Sequence, residues 1–326
     1  MPRKQLHFTY YVMSFARLMT PMFVLRWRAK RYMEEAEKRE DRELIMRRVE
    51  YYNKLEGVTR LAEGGTRIGD HTWRKHVGPS VYFFDTVEYL RYFLASYVFH
   101  YQPGDVWWLF DTPTITKTRP IAEGDPRYRN SVLMNLNKLR HFFFVKDKTA
   151  FADKKPTAIF RGACHGKPER IRFLEMYKGK EGFDIGDTSR KLEERLQSEK
   201  MSIGEHLPYR YIVTLEGNDV ATSLKWVMST NSIAVMPRPT RESWFMEGTL
   251  VANYHYIEIK PDFSDIEERL RYYNEHVEEA EAIVEHAHEY IRQFEDARRE
   301  EIISYLVVRK YFERTTVSED GEAQLT

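Results

Sequence analysis

The second half of the chain alternates short apolar runs with glycine turns and helical segments, and this alternation restricts the fold more than any other feature. Helical spacing follows the apolar runs, most clearly over 266–294. Strands that alternate with helices favour a parallel sheet with right-handed crossovers. The sequence therefore predicts an α/β fold, with its clearest strands at 158–160, 211–215, 232–236 and 254–259.

The rest of the chain gives further predictions of helices, strands and loops. Charged residues over 26–52 predict one long helix, and apolar spacing predicts another over 84–100. The wholly apolar runs 106–110 and 141–145 are typical of buried strands. Ser264 and Glu267 predict a capping box at the start of the 266–294 helix. The remaining predictions are a helical stretch over 220–228, a last helix over 302–312 and a disordered tail from 315.

Charge and cysteine content exclude some classes of function. Lys and Arg number 51 against 50 Asp and Glu, which disfavours a general attraction to nucleic acid. The single cysteine, Cys164, excludes a disulfide within the chain. Together with the absence of a recognisable signal peptide, it favours a cytoplasmic compartment.

The first 33 residues are basic and rich in aromatic side chains, and contain no Asp or Glu. Arg17 and Pro21 interrupt the apolar pattern, so a membrane span is not predicted. The pattern fits a helix that lies on an anionic membrane surface. It equally fits a helix packed on the protein body with its charges in water.

The first glycine turn of the α/β half carries two arginines. Arg161 and Gly162 end the first apolar run, and Arg170 follows in the next helical segment. Arginine binds phosphate oxygens as a two-pronged donor, and glycine lets the backbone approach a ligand. The alternative is that both arginines pair on the surface with Glu169 or Glu175.

The second turn has the same strand–turn–helix order. Gly217 and Asn218 follow the strand predicted at 211–215, and Ser223 and Lys225 follow in turn. This order aims backbone N–H groups at an anion, with the Lys225 ammonium close by. A single glycine nevertheless matches neither a Walker loop nor a dinucleotide fingerprint.

Asp111 is the candidate acid–base residue. It directly follows the apolar run 106–110 and precedes Pro113 by two positions. A carboxylate at the end of a buried strand would lie where open α/β sheets bind ligands and could accept a proton. Taken alone, the position favours an Asp that caps its own turn. The sequence has no zinc-type Cys/His cluster and no Asp-x-Asp pair between strands, so no metal site is predicted.

Three ordered stretches resemble glycosyltransferase family 90, most closely its bacterial, lipopolysaccharide-modifying branch. They are 158–173 (AIFRGACHGKPERIRF), 211–226 (YIVTLEGNDVATSLKW) and 244–265 (WFMEGTLVANYHYIEIKPDFSD). The resemblance implies a GT-B architecture, with two Rossmann-like domains that face each other across a cleft. It also implies inverting, metal-independent transfer from a UDP-sugar, glucose or xylose.

The resemblance also implies roles for residues. The family's general base lies in a strand–Asp–x–Pro context, which Asp111 and Pro113 match, so Asp111 takes the catalytic role. Many relatives have an arginine two positions before the lysine of the second turn, where this chain has Ser223. The predicted donor-binding set is Arg161, Gly162, Arg170, Gly217, Asn218, Ser223 and Lys225.

These implications define domains, partners and location. Residues 1–150 would form the acceptor-side domain, 151–294 the nucleotide-sugar domain, and 295–326 a helix and tail packed back on the first domain. The expected acceptor is a hydroxyl of a bacterial glycan or glycolipid such as lipopolysaccharide core. It would be met at the inner face of the membrane, and the basic segment 1–33 suits that location. The competing interpretation is a non-catalytic, membrane-associated protein that binds a nucleotide or a glycolipid. Oligomeric state is left open.

Overall fold

A computed structural model describes residues 3–76, 78–318 and 320–325. The chain forms two compact units. Unit 1 contains Met1–Arg140, Arg241–Phe245 and Asp296–Thr326, and unit 2 contains His141–Thr240 and Met246–Glu295. The predicted α/β class is confirmed as a mixed α/β structure. The division of labour between an acceptor side and a donor side stays a prediction.

Helices and short strands alternate along the described residues. The helices are α1 Arg3–Leu18, α2 Met22–Lys38, α3 Arg42–Tyr52, α4 Ser80–Leu90, α5 Lys138–His141, α6 Pro168–Tyr177, α7 Ile203–His206, α8 Leu224–Val227, α9 Ile266–Glu275, α10 Val277–Arg292 and α11 Ala297–Glu313. The strands are β1 Thr59–Arg60, β2 Thr66–Arg67, β3 Val98–Gln102, β4 Thr114–Thr116, β5 Thr118–Pro120, β6 Ser131–Leu133, β7 Lys155–Gly162, β8 Phe183–Asp187, β9 Tyr209–Val213, β10 Ile233–Met236, β11 Arg241–Ser243, β12 Ile257–Glu258 and β13 Thr315–Thr316.

Unit 2 is built on a five-stranded sheet in the order β12-β10-β9-β7-β8. Every strand pair in it is parallel. The runs predicted at 158–160, 211–215 and 232–236 are confirmed as β7, β9 and β10. The 254–259 run is a strand only at Ile257–Glu258, and β8 was not predicted. Its Phe-Asp-Ile-Gly-Asp sequence lacks a continuous apolar run, so the signal used for the other strands is missing.

The core of unit 2 follows the alternation of side chains along a strand. Phe160 of β7 and Val213 of β9 point to one face of the sheet, where they pack with Phe173 and Tyr177 of α6. Each large apolar side chain buried in this way stabilises the fold by roughly 1.5–3 kcal/mol. The loops that follow these strands are therefore anchored on a packed layer of apolar side chains.

Unit 1 contains a four-stranded mixed sheet in the order β2-β3-β4-β6 and two two-stranded sheets, β5–β11 and β1–β13. Around the helices α3 and α11, charged and aromatic side chains are joined by hydrogen bonds. The buried Arg48 guanidinium bonds Glu300, and the Tyr52 ring stacks on Trp244 with centroids 3.8 Å apart. This packing holds Arg241–Phe245 in unit 1, although its neighbours in sequence belong to unit 2.

Two predicted buried strands, 106–110 and 141–145, are wrong. The first is irregular, and it buries Val106 while Trp107 and Trp108 stay 58% and 37% exposed. The position beside β3 is taken instead by β4, which begins four residues after the end of this run. Over 142–145 the structure is likewise irregular. A short apolar run cannot by its composition distinguish a strand from a loop with large exposed side chains.

Several helix predictions need correction. The helix predicted over 26–52 divides into α2 and α3 at Arg39, whose backbone is extended and whose guanidinium bonds Asp41 and Asp296. The 84–100 prediction ends at Leu90, and its last residues belong to β3. The 266–294 helix divides into α9 and α10. The predicted capping box is absent there, since the Ser264 hydroxyl donates to Asp262 at 2.7 Å.

The tail predicted to be disordered from 315 is instead ordered over its described part. Thr315 and Thr316 are buried as β13, paired in parallel with β1. The Gln324 side chain accepts a hydrogen bond from the Val98 amide and donates one to the Val98 carbonyl at 2.9 Å. The polar tail is thus held by hydrogen bonds to the backbone of other segments. Among the described residues, no helix combines the length and apolar character needed to cross a bilayer.

Candidate active site

The candidate site of unit 2 begins where the order of the parallel sheet reverses. The strands β7 and β9 are neighbours, but the chain leaves β7 for β8 on one side before it returns to β9 on the other. Open α/β sheets bind ligands at the carboxyl ends of the strands at such a switch point. Here those ends are Gly162 and Val213. The loops 163–167 and 214–223 therefore flank the candidate site.

Arg170 joins the two loops. Its guanidinium donates to the carbonyl of Ala163 at 3.0 Å, of Glu216 at 3.0 Å and of Leu215 at 2.6 Å. All three acceptors belong to the loops at the switch point. Hydrogen bonds from a charged donor contribute about 1.5–3 kcal/mol each. In this structure, Arg170 therefore positions both loops through their backbones.

Both predicted glycines lie against this guanidinium. A Cβ placed on Gly217 would be 3.1 Å from Nη2 of Arg170, and one placed on Gly162 would be 3.4 Å from its Nη1. At Gly162 the ring of Phe160 would be closer still, at 2.8 Å. The missing side chains are thus what let the arginine fit between the two loops.

Lys167 adds a positive charge that the sequence reasoning missed. It directly precedes α6, and its Nζ donates to Oδ1 of Asn218 at 3.1 Å from one loop to the other. The first turn of α6 has Pro168 at its start and no side-chain cap among the described residues. An uncapped helix start and an ammonium group both favour an anion. A lysine directly before a Pro-initiated helix was the available signal.

Asp187 and Cys164 connect the end of β8 to the loop that follows β7. The Asp187 carboxylate ends β8, accepts from the amides of Cys164 and Ser189 at 2.8 and 3.1 Å, and is buried. Burial works to raise the pKa of Asp187, but hydrogen bonds from Ser189 and Cys164 outweigh it and lower the pKa. Burial, with the Asp187 charge, raises the pKa of the Cys164 thiol to about 12. A thiol with that pKa stays protonated and is a poor nucleophile.

Arg161 makes its hydrogen bonds to β8, whereas Arg170 bonds the two switch-point loops. Its guanidinium donates to the Asp184 carboxylate at 2.5 Å and to the Asp184 carbonyl at 2.7 Å. The Tyr209 hydroxyl donates to the other Asp184 oxygen at 2.7 Å. Arg161 therefore links β7 to β8, and its predicted role as a donor ligand stays a prediction.

Lys225 and Ser223 lie at the short helix α8. The Lys225 ammonium is 2.5 Å from Oε1 of Glu247, and the two side chains are only 1% and 2% exposed. Ser223 is the residue before the helix, and its hydroxyl does not cap it. Helix α8 covers only four residues of the predicted 220–228 stretch. Lys225 is thus neutralised inside unit 2.

In unit 1, Asp111 lies in the irregular segment that replaces the predicted strand. Its side chain is 93% exposed, and one carboxylate oxygen is 3.9 Å from the Arg127 guanidinium. Trp107 and Trp108 precede it, with ring centroids 4.9 Å apart in an edge-to-face arrangement. The carboxylate is accessible to a substrate, and exposed aromatic faces accompany it.

No group of three His, Cys, Asp or Glu side chains in the described parts of the chain has a geometry that could hold a metal ion. The predicted independence from metals remains untested by this observation.

Comparison with known proteins decides the family. The family model "Glycosyl transferase family 90" matches residues 134–314. The O-glucosyltransferase LpsA of Dichelobacter nodosus is 39% identical over 292 residues, which cover 88% of this chain and 90% of that protein. The chain belongs to glycosyltransferase family 90.

Family membership confirms the resemblance that the three motifs indicated. A second relative, human Protein O-glucosyltransferase 3, is 26% identical over 172 residues, which cover 51% of this chain and 33% of that protein. Glycosyl transfer is therefore the class of reaction, and a sugar donor and a glycan acceptor are the classes of substrate. The matched range contains the switch-point loops, whereas Asp111 lies before it.

Proposed function

We propose that this family 90 enzyme transfers a sugar from a UDP-sugar to a hydroxyl of a bacterial glycan or glycolipid, such as lipopolysaccharide core, with inversion and without a metal. Both relatives are called O-glucosyltransferases, which favours glucose over xylose as the sugar. The observation that carries the proposal is the pair of switch-point loops held together by Arg170.

On the donor side, the diphosphate would bind at these loops. The Lys167 ammonium and the uncapped start of α6 would lie against its oxygens, and Gly162 and Gly217 would allow the backbone to approach. Cationic donors fixed before the reaction act most strongly where charge develops in the transition state, here on the departing UDP. Arg170 acts in this proposal as a positioning residue, because its guanidinium N–H groups donate to the loop carbonyls.

On the acceptor side, Asp111 would accept the proton of the attacking hydroxyl. The hydroxyl oxygen forms a bond to the anomeric carbon while the bond from that carbon to the diphosphate breaks, and UDP leaves with the electron pair. General-base assistance of this kind contributes about 10²–10⁴-fold to the rate. Trp107 and Trp108 would offer their faces to the sugar rings of the acceptor. The two units would act as the two halves of a GT-B enzyme.

The test is Asp111→Asn, measured with UDP-glucose and purified lipopolysaccharide as acceptor. We expect turnover to fall at least about 100-fold, while the Kd for UDP, measured by calorimetry, stays within about twofold of the parent. Asp70→Asn is the matched control, because Asp70 is also a largely exposed acid of unit 1. Unchanged turnover in Asp111→Asn would remove the assignment of the base.

Two further measurements separate the remaining alternatives. Turnover should persist in EDTA; its loss, with recovery on adding Mg²⁺ or Mn²⁺, would contradict the metal-independent mechanism. If UDP binds tightly but no UDP-sugar is either transferred or slowly hydrolysed, the non-catalytic binding protein would be favoured instead. The proposed location is cytoplasmic, at the inner face of the membrane.

A further inference from the structure

The helices α1 and α2 expose large apolar side chains in an ordered pattern. Along α1 and just beyond it, exposed apolar residues recur at four- and three-residue steps, which places them on one stripe. A second stripe follows on α2. We call the two stripes together the α1–α2 apolar surface, defined by Phe8 (73% exposed), Val12 (50%), Phe15 (52%), Met19 (82%), Phe23 (73%) and Trp27 (55%).

This exposure is not the result of a helix that lacks a docking face. The Tyr10 hydroxyl donates to Asp85 at 2.8 Å, and the Tyr11 hydroxyl lies 2.7 Å from that of Ser80. Both tyrosines pack with Leu18 on the buried rings of α4. On α2 the buried side chains are Leu25, Tyr32 and Ala36. The helices are therefore fixed on unit 1 by one face. Phe15 lies at the border of that face, with its ring centroid 5.0 Å from that of Phe84, and the rest of the apolar surface lies beyond it.

The charges beside the apolar surface have one sign up to Met33. Arg26 is exposed next to Trp27. The Arg31 guanidinium lies over the Trp27 ring at 4.9 Å and also donates to Glu35 at 2.9 Å. The first acidic residues of the chain, Glu34 and Glu35, come only on the last turns of α2. Two copies of such a surface would repel each other, whereas an anionic bilayer would attract both the basic groups and the apolar side chains.

We propose that the α1–α2 apolar surface inserts into the interface of a bilayer that contains anionic phospholipid. The helices would lie along the membrane, since Arg17 interrupts the apolar pattern of α1 and this helix is too short, at 16 residues, to cross it. Under this proposal, one face of the helices packs on the protein body and the other lies on the membrane, so the two interpretations of the first 33 residues apply to different faces. That this docking delivers a glycolipid acceptor to the enzyme rests on the proposed function.

The experiment is vesicle flotation of the full chain. The parent protein should float with vesicles of phosphatidylcholine and phosphatidylglycerol in equal amounts and stay behind with phosphatidylcholine alone. The combined variant Met19→Ser, Phe23→Ser, Trp27→Ser should bind the mixed vesicles at least about tenfold more weakly, because burial of each such side chain favours the bound state. These three side chains lie outside the packed cores, so the variant should fold, which thermal unfolding checks.

The matched control replaces three exposed apolar residues elsewhere in the chain in one combined variant: Leu94→Ser, Val251→Ser and Val317→Ser. In the parent these residues are 58%, 54% and 51% exposed. This control variant should float like the parent. Parent-like flotation of the α1–α2 variant would overturn the inference. So would a parent dimer in light scattering that the α1–α2 variant abolishes, since a second copy would then cover the surface.

The outcome is separable from that of the proposed function. If flotation fails but UDP-sugar is still transferred to a water-soluble acceptor, only the membrane inference falls. If flotation succeeds and transfer is absent, the proposed function falls. When both hold, the α1–α2 variant should keep transfer to the soluble acceptor and lose at least about tenfold of it on vesicle-embedded lipopolysaccharide.

Discussion

The buried pair of Lys225 and Glu247 gives the sharpest test of how unit 2 works. The family resemblance makes Lys225 a phosphate ligand, but the structure places it 2.5 Å from Glu247 with both side chains almost fully buried. Removal of one partner from a buried ion pair costs about 3–5 kcal/mol, because the other charge stays buried without it. At about 2–4 °C per kcal/mol for a unit of this size, Lys225→Met should lower Tm by about 6–20 °C.

The double variant Lys225→Met, Glu247→Leu separates the structural role from a donor-binding role. Replacing both members of a buried pair by apolar side chains of similar volume is often neutral or stabilising. We therefore expect the double variant to regain most of the lost Tm and to bind UDP within about threefold of the parent by calorimetry. The control is Lys180→Met, because the Lys180–Glu267 pair is 3.4 Å long but about half exposed; it should cost at most about 1 kcal/mol.

Two results would refute this reasoning. A single variant as stable as the parent would show that the pair is not the buried, coupled interaction that its geometry implies. A double variant that is stable but no longer binds UDP would assign Lys225 or Glu247 to the donor directly, which would require the site to open before the diphosphate enters.

Further predictions concern Arg170, a glycine and a buried acid. Arg170→Lys should weaken UDP binding at least about tenfold, since an ammonium cannot reproduce the guanidinium's bonds to three separate carbonyls; an unchanged Kd for UDP in calorimetry would contradict the positioning role of Arg170. Gly217→Ala should raise KM for the UDP-sugar severalfold because its Cβ would be 3.1 Å from Arg170, whereas Gly124→Ala, which meets open space, should not. Burial raises the pKa of Asp85 from 3.8 to about 6, so its neutral form stabilises the fold below pH 4 and this stability is lost as pH rises through 6. From pH 4 to 6, the parent should lose about 2 kcal/mol of unfolding free energy relative to Asp85→Asn; parallel pH profiles in urea unfolding would exclude this.

The switch-point site was predictable to the extent that it depends on local order along the chain. Each of the strands β7, β9 and β10 contains a short apolar run, at 158–160, 211–213 and 233–236, that is followed by a turn, and this pattern is visible without any partner. The glycines at 162 and 217 mark where the backbone must approach something closely. What they approach in this structure, Arg170, lies across a loop, and no spacing rule indicates that.

The predictions failed where a segment's environment, not its composition, sets its structure. The apolar run 106–110 suits a buried strand, yet β4 occupies the place beside β3 and leaves Trp107 and Trp108 exposed. The polar tail suits disorder, yet it finds backbone partners in β1 and at Val98. Such competition for partners is decided among residues far apart in the chain.

For this family 90 enzyme, the amino-acid order alone specified the α/β class, the principal strands of unit 2, the family and the two loops at which we propose that the donor binds. These depend on local periodicity and on short motifs. Tertiary packing decided the state of each charge: Arg170 bonded to loop carbonyls, Lys225 neutralised by Glu247, and Asp111 left in solvent. The free energy of a charge depends on its burial and on its partners, and both are properties of neighbours that only the folded chain brings together.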